Sequence, residues 1–284
     1  MERLQFTYGQ ATHVGRVRQE NQDGCGVFPR EPTDAPDEHL FIVADGMGGH
    51  VGGREASAMA VDVIGSTYFA SAAEPARRLQ QAFAAANARI RTRAQQEPHL
   101  HNMGTTASAL LLRDGCATIA HVGDSRIYRV GESAEQLTTD HSEVEELVRR
   151  NILTREQAET HPRRHVLTRG LGLIGEVEVD AEGPFPLQPQ TSFVLCTDGL
   201  AKLSLAEIEE IVRSRSPQEA CQQLVQVANE RGGQDNVTVQ VVRIDAVPDE
   251  TPCAPPRRRS RSLATGLAGL LLLALIVLAA WLIL

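Results

Sequence analysis

Phe41 to His50 reads F-I-V-A-D-G-M-G-G-H. Apolar and small residues run straight into an acid, and glycine takes three of the next four positions. Such a run predicts a buried strand that ends in a tight turn and presents Asp45 at its tip. Gly46, Gly48 and Gly49 let backbone carbonyls come close to a bound ion. A carboxylate beside a carbonyl is what a hard divalent cation such as Mg2+ or Mn2+ takes. Asp-Gly by itself is ordinary turn chemistry, so the weight lies in whether the pattern recurs.

Ser192 to Leu200 reads S-F-V-L-C-T-D-G-L and delivers Asp198 in the same way. Ala117 to Arg126, A-T-I-A-H-V-G-D-S-R, ends a third apolar run in Gly123-Asp124. Asn21-Gln22-Asp23 precedes a short strand at Cys25 to Phe28, and Gln234-Asp235-Asn236 precedes one at Val237 to Ile244. Strand ends that converge on a carboxylate-rich cleft are a usual way to build a multi-metal site. Arg18 stands five residues before Asp23, and its planar fork suits phosphate oxygens.

The rest of the chain punctuates itself clearly. Helical spacing predicts helices over Gly53 to Ala70 and Pro75 to Gln96, and Arg113-Asp114-Gly115 between two apolar runs predicts a hairpin. Ser142 with Glu145 and Thr154 with Gln157 have capping-box spacing. Between them and V-L-T-R-G-L-G lies a basic stretch, His161 to His165, which is either a solvated face or part of a flap over residues 142–170. Ser204 and Ser216 each open a helix after the Asp198 strand, and Gly232-Gly233 stops the second.

A chain of 284 residues, 42% hydrophobic, can bury one large core, and residues 1–245 show no break in composition. The net charge is -8 although Arg257, Arg258, Arg259 and Arg261 cluster near the end, so the body is acidic and nucleic acid is not expected as a partner. Five cysteines without a C-x-x-C pair, three of them in predicted strands, are expected as free thiols in a reducing compartment. The first residues, M-E-R-L-Q-F-T-Y-G-Q, lack an apolar signal-peptide core, so the domain is expected to stay in the cytoplasm. Residues 246–262 are rich in proline and charge and read as a disordered linker. Leu263 to Leu284 carries no charge and, at about 1.5 Å per residue, is long enough to cross a hydrocarbon core of about 30 Å. With arginines on its near side, it is expected to act as a single-pass tail anchor with the preceding domain on the cytoplasmic side.

Taken together and in order, V-G-R-V-R-Q-E-N-Q-D, V-A-D-G-M-G-G-H, M-G-T-T, A-H-V-G-D-S-R-I-Y, L-T-T-D-H, V-L-T-R-G-L-G, C-T-D-G-L and G-G-Q-D-N-V-T closely resemble the bacterial metal-dependent serine/threonine protein phosphatases of type 2C, over residues 3–245. The resemblance implies an α+β fold: a β-sandwich of two mostly antiparallel sheets with helices on both outer faces, in four layers. It implies that Asp23, Asp45, Asp198 and Asp235, with the Gly46 carbonyl, bind two Mg2+ or Mn2+ ions, and that Asp124 with Asp198 holds a third, weaker one. It implies that a hydroxide bridging the two metals attacks phosphoserine or phosphothreonine, with Arg18 gripping the phosphate and His50 as a candidate proton donor. Expected partners are phosphorylated proteins, in particular a Ser/Thr kinase and its substrates at the inner membrane, and the catalytic domain is expected to be monomeric. The rival expectation is a catalytically inactive, membrane-tethered scaffold that binds phosphoproteins. Three departures from the family pattern fall in or beside the flap: Asn151 for a helix-ending glycine, His165 for an asparagine and Gly170 for an alanine.

Overall fold

The strand that carries Asp45 is apolar on both faces: Leu40, Ile42 and Ala44 belong to one buried cluster, Phe41 and Val43 to another. Successive side chains of a strand point to opposite sides, so a strand that buries both must lie between two apolar layers. A computed structural model, which describes residues 3–29, 38–48, 50–173, 175–248 and 253, has that arrangement. Its strands are β1 (Gln5–His13), β2 (Asp23–Phe28), β3 (Glu38–Met47), β4 (Gly104–Thr105), β5 (Ala107–Arg113), β6 (Cys116–Val122), β7 (Arg126–Val130), β8 (Ala134–Gln136), β9 (Asp180–Pro186), β10 (Ser192–Cys196) and β11 (Val237–Ala246). Its helices are α1 (His50–Ala70), α2 (Pro75–Gln96), α3 (Glu143–Arg149), α4 (Arg155–Thr160), α5 (Leu205–Ser214) and α6 (Pro217–Glu230).

One sheet runs β1-β11-β10-β7-β8 and the other β2-β3-β5-β6-β9, with β4 added on β3. Every pairing is antiparallel. Phe41, Val43, Leu110 and Leu112 from one sheet meet Phe193, Leu195, Val242 and Ile244 from the other in the central core. On the outer faces, Leu40, Ile42, Ala109 and Leu111 pack under α1 and α2, while Val194, Cys196, Val239 and Val241 pack under α5 and α6. The same two-residue alternation therefore feeds three cores, and the expected helix-sheet-sheet-helix layering follows from it.

The helix starts read from capping residues hold, whereas α1 begins at His50, three residues before the expected Gly53. Thr154, Ser204 and Ser216 form complete capping boxes, and Ser142 accepts from the Glu145 backbone N–H. Asn151, just beyond α3, adopts the left-handed conformation (φ 57°) that asparagine tolerates. Strand β9, which the sequence does not announce, contains Gly183 and Pro184 and lies at the edge of its sheet, where a missing N–H is tolerated. The expectation of free thiols needs correction at two positions: Cys116 and Cys253 form a disulfide with Cα atoms 5.8 Å apart, while Cys25, Cys196 and Cys221 are free. The partners are 137 residues apart in sequence, a pairing no spacing rule reveals. Among the described residues no helix is long and apolar enough to cross a membrane. The predicted span at 263–284 and most of the predicted linker lie outside the described residues.

A buried ion cluster fastens α2 onto the sheet. Glu38, 6% exposed at the start of β3, accepts from Arg78 at 2.6 Å and pairs with Arg113 at 2.9 Å. The Arg78 guanidinium also lies 4.3 Å from the centre of the Tyr68 ring. Removing one partner of a buried pair leaves the other charge uncompensated, so Glu38→Ala is expected to cost about 3–5 kcal/mol of stability by urea denaturation. A change below 1 kcal/mol would show that water reaches Arg78.

Candidate active site

All five acids gather at one end of the sandwich. Asp23 opens β2, Asp45 lies near the end of β3, Asp124 sits in the β6–β7 turn, Asp198 follows β10 and Asp235 precedes β11. Asp45, Gly46, Asp124, Asp198 and Asp235 line an open cavity of about 640 Å³, together with Arg18. Asp23 stands behind it, directly opposite Asp45 in the β2–β3 ladder. Like charges placed opposite each other on neighbouring strands repel, so this pairing is unfavourable unless something offsets it.

The electrostatics bear the marks of that crowding. Burial pushes the Asp23 carboxyl up to about 7, with Asp198 and Asp235 adding to the rise against two hydroxyl donors. Asp124 is likewise pushed up to about 7, by burial first and then by Asp198 and Asp140. Asp45 is raised well above the ordinary carboxylate range by burial and by Asp23 and Asp198. Asp23 Oδ1 and Asp198 Oδ1 are buried with no hydrogen-bond partner. Orphaned carboxylate oxygens in an all-oxygen cluster suit a hard divalent cation. Among the described residues no group of three or more His, Cys, Asp and Glu side chains stands ready to hold an ion unaided. Hard cations commonly complete their shells with carbonyls and water.

Hydroxyl and amide groups fix each acid from behind. Asp23 Oδ2 accepts from Thr197 Oγ1 at 2.8 Å and Thr238 Oγ1 at 2.7 Å. Because Thr238 gives its hydrogen to Asp23, Thr12 donates to Thr238 at 2.7 Å, and Asn21 in turn donates to Thr12 at 2.8 Å. The Asp45 N–H donates to Thr106 Oγ1, which also bonds Ser125 at 2.6 Å, so the Asp45 and Asp124 turns are tied to each other. Asn236 accepts from the Gln22 N–H and donates to the Val14 and Glu20 carbonyls, joining the loop before Asp23 to the start of β11. Gly46 fits only as glycine, because an added Cβ would overlap the Gly53 carbonyl.

Arg18 is exposed at the cavity rim, and its guanidinium donates to Asp235 Oδ2 at 2.6 Å. His165, Leu167 and Leu173 line the same cavity, so the basic stretch belongs to a flap that reaches the site. His165 Nδ1 is 3.4 Å from Asp198 Oδ2, and this contact raises the imidazole pKa. His50 opens α1, and its side chain lies outside what is described. Thr12, Thr197, Thr238 and Asn236 are the residues that the sequence alone does not single out. Their only signal is position, within or beside the strand ends that carry the acids.

The two antiparallel sheets with acids at five strand ends make a candidate site for divalent cations, and comparison with known proteins gives the class. Residues 12–240 match the family model for protein phosphatase 2C. The serine/threonine phosphatase stp of Listeria innocua is 40% identical over 239 residues, covering 81% of this chain and 93% of that protein. Among solved structures, the Streptococcus agalactiae serine/threonine phosphatase superposes with a TM-score of 0.77 at 34% identity, covering 85% of this chain and all of that one. The PstP catalytic domain in complex with two manganese ions superposes at 0.72 with 29% identity, covering 85% and 99%. The chain belongs to the protein phosphatase 2C family and is a serine/threonine phosphatase.

If the hydroxyl chain holds Asp23 in register, Thr238→Val should lower phosphatase turnover about 10–100-fold with the circular dichroism spectrum unchanged, and Thr238→Ser should restore most of it. Equal rates in the valine variant and the wild type would remove Thr238 from the site.

Proposed function

We propose that the chain hydrolyses phosphoserine and phosphothreonine in proteins with two divalent ions, Mn2+ or Mg2+, held by Asp23, Asp45, Asp198, Asp235 and the Gly46 carbonyl, and that Asp124 with Asp198 holds a weaker third. The observation that carries this reading is the pair of buried, unpartnered oxygens on Asp23 and Asp198 within a cluster whose acids oppose one another's ionisation. The manganese found with the PstP catalytic domain supports the choice of ion.

When bound, such ions would offset the negative charge of the phosphate and supply a water acidic enough to serve as a nucleophile near neutral pH. The chain's own residues do the rest. Arg18 reaches the cavity from its rim, where its planar guanidinium can grip phosphoryl oxygens while one nitrogen stays on Asp235. That pairing holds the guanidinium in place before substrate arrives, which favours in-line placement of the phosphoryl group. The leaving alkoxide needs a proton, and His50 at the start of α1 is the candidate donor. The inactive-scaffold alternative is not favoured, because none of the five acids is missing.

The enzyme is further proposed to be tethered to the cytoplasmic face of the membrane by residues 263–284, where a membrane-bound Ser/Thr kinase and its substrates would be its phosphoprotein partners. The uncharged apolar run behind an arginine cluster supports this.

The activity is tested on the full chain with a phosphothreonine peptide. Release with Mn2+ should stop with EDTA and fall at least about 10-fold in Asp198→Asn, with weaker Mn2+ binding by calorimetry. Release that persists in EDTA would sink the metal assignment. For the tether, cell fractionation should find the full chain in the membrane pellet and a chain ending at Ser262 in the supernatant. Equal distribution of the two would refute it.

A further inference from the structure

His141, 7% exposed, takes part in no step assigned above, yet it holds both polar backbone groups of the residue before Asp124. The Gly123 N–H donates to His141 Nδ1 at 3.1 Å, and the His141 N–H donates to the Gly123 carbonyl at 2.7 Å. Gly123 has φ 111°, and an added Cβ would meet Thr106 at 2.5–2.6 Å, so this turn is built on one residue in a conformation open to glycine. Since Nδ1 accepts, the ring proton is on Nε2 and is donated to Asp180 Oδ2 at 3.0 Å. Asp180 Oδ1 accepts from Arg169 at 2.8 Å, and Arg169 also pairs with Glu178. Arg169 is near the end of the flap, whose return run is pinned to the same histidine: Thr168 N–H donates to the His141 carbonyl at 2.8 Å. Ser142 and Leu167 form an isolated bridge beside it.

We propose that His141 is a positioning residue for Asp124, and that through Asp180 and Arg169 it couples the placement of that carboxylate to the seating of the flap. The chain of contacts is continuous and each link uses a different atom: flap to Arg169, Arg169 to Asp180, Asp180 to Nε2, Nδ1 to Gly123, Gly123 to Asp124. This rests on the reading of Asp124 as a metal carboxylate, and the test keeps the two apart.

In the full chain, wild type, Asp124→Asn, His141→Leu, His141→Asn, Asp180→Asn and the double variant Asp124→Asn/His141→Leu are compared for kcat, KM, Mn2+ binding by calorimetry and thermal unfolding. His141→Leu should lose the Mn2+ binding event that Asp124→Asn loses and drop kcat about 10–100-fold with KM little changed. Asn places an oxygen where Nδ1 stands, so His141→Asn should recover part of both. Asp180→Asn should fall between wild type and His141→Leu. The double variant should lose no more than Asp124→Asn alone, because the two act as one unit. The proposal is overturned if His141→Leu keeps every binding event and its kcat. It is also overturned if the losses simply add in the double variant, or if His141→Asn is no better than His141→Leu. Should the leucine variant fail to fold, the asparagine and Asp180 variants decide by the same criteria. A wild type that binds no Mn2+ and releases no phosphate defeats the metal reading instead.

Discussion

Mutual repulsion among carboxylates is the constraint on which the rest of this structure depends. Asp23 and Asp45 face each other across a β-ladder, and burial and neighbouring acids raise both, together with Asp124. Nothing in that cluster favours folding by itself. Its geometry persists because stability comes from elsewhere, namely the two-sided apolar strands and the three cores they feed. A strand buried on both faces cannot slip by one residue without turning a whole row of side chains into the wrong layer. Register is thereby fixed at the site, and the acids at the strand ends inherit it.

A second level of control lies in small polar groups rather than in charges. An unpaired carboxylate oxygen aimed at a cation is useful only if the other oxygen is held. For Asp23 that division is visible: Oδ2 has two hydroxyl donors, and Oδ1 has none. Threonine suits this task in a strand, since its methyl packs in the sheet while its hydroxyl bonds sideways. The motif M-G-T-T falls into place on the same grounds. Thr105 Oγ1 donates to the Asp45 carbonyl and Thr106 accepts from the Asp45 N–H, so the pair braces the turn.

Much of this was legible in the sequence, and the part that was not has physical causes. The acids at Asp23, Asp45, Asp124, Asp198 and Asp235 could be found because each follows or precedes an apolar run, and convergence is what a sandwich does with strand ends. Arg18 was legible by its nearness to Asp23. Strand β9 was hidden because Gly183 and Pro184 argue against a strand everywhere except at an edge, and edge position is a property of the sheet. The Cys116–Cys253 pairing and the His141–Asp180 contact were hidden for a similar reason, since both join residues that only the tertiary fold brings together. Thr12 and Thr238 are partners across the β1–β11 pair, so their role depends on a register that local pattern does not state.

The direction of β11 carries one more consequence. Asp235 and Asn236 stand at the site, and the strand then runs Val237–Ala246 without interruption. At about 3.4 Å per residue an antiparallel strand of that length covers roughly 30 Å, most of the depth of a small domain. The end of β11 therefore lies remote from the cavity. Cys253 agrees with this, for its partner Cys116 begins β6, whereas Gly123 and Asp124 follow the other end of that strand. The cavity and the last residues of β11 are thus separated by the length of the sheets.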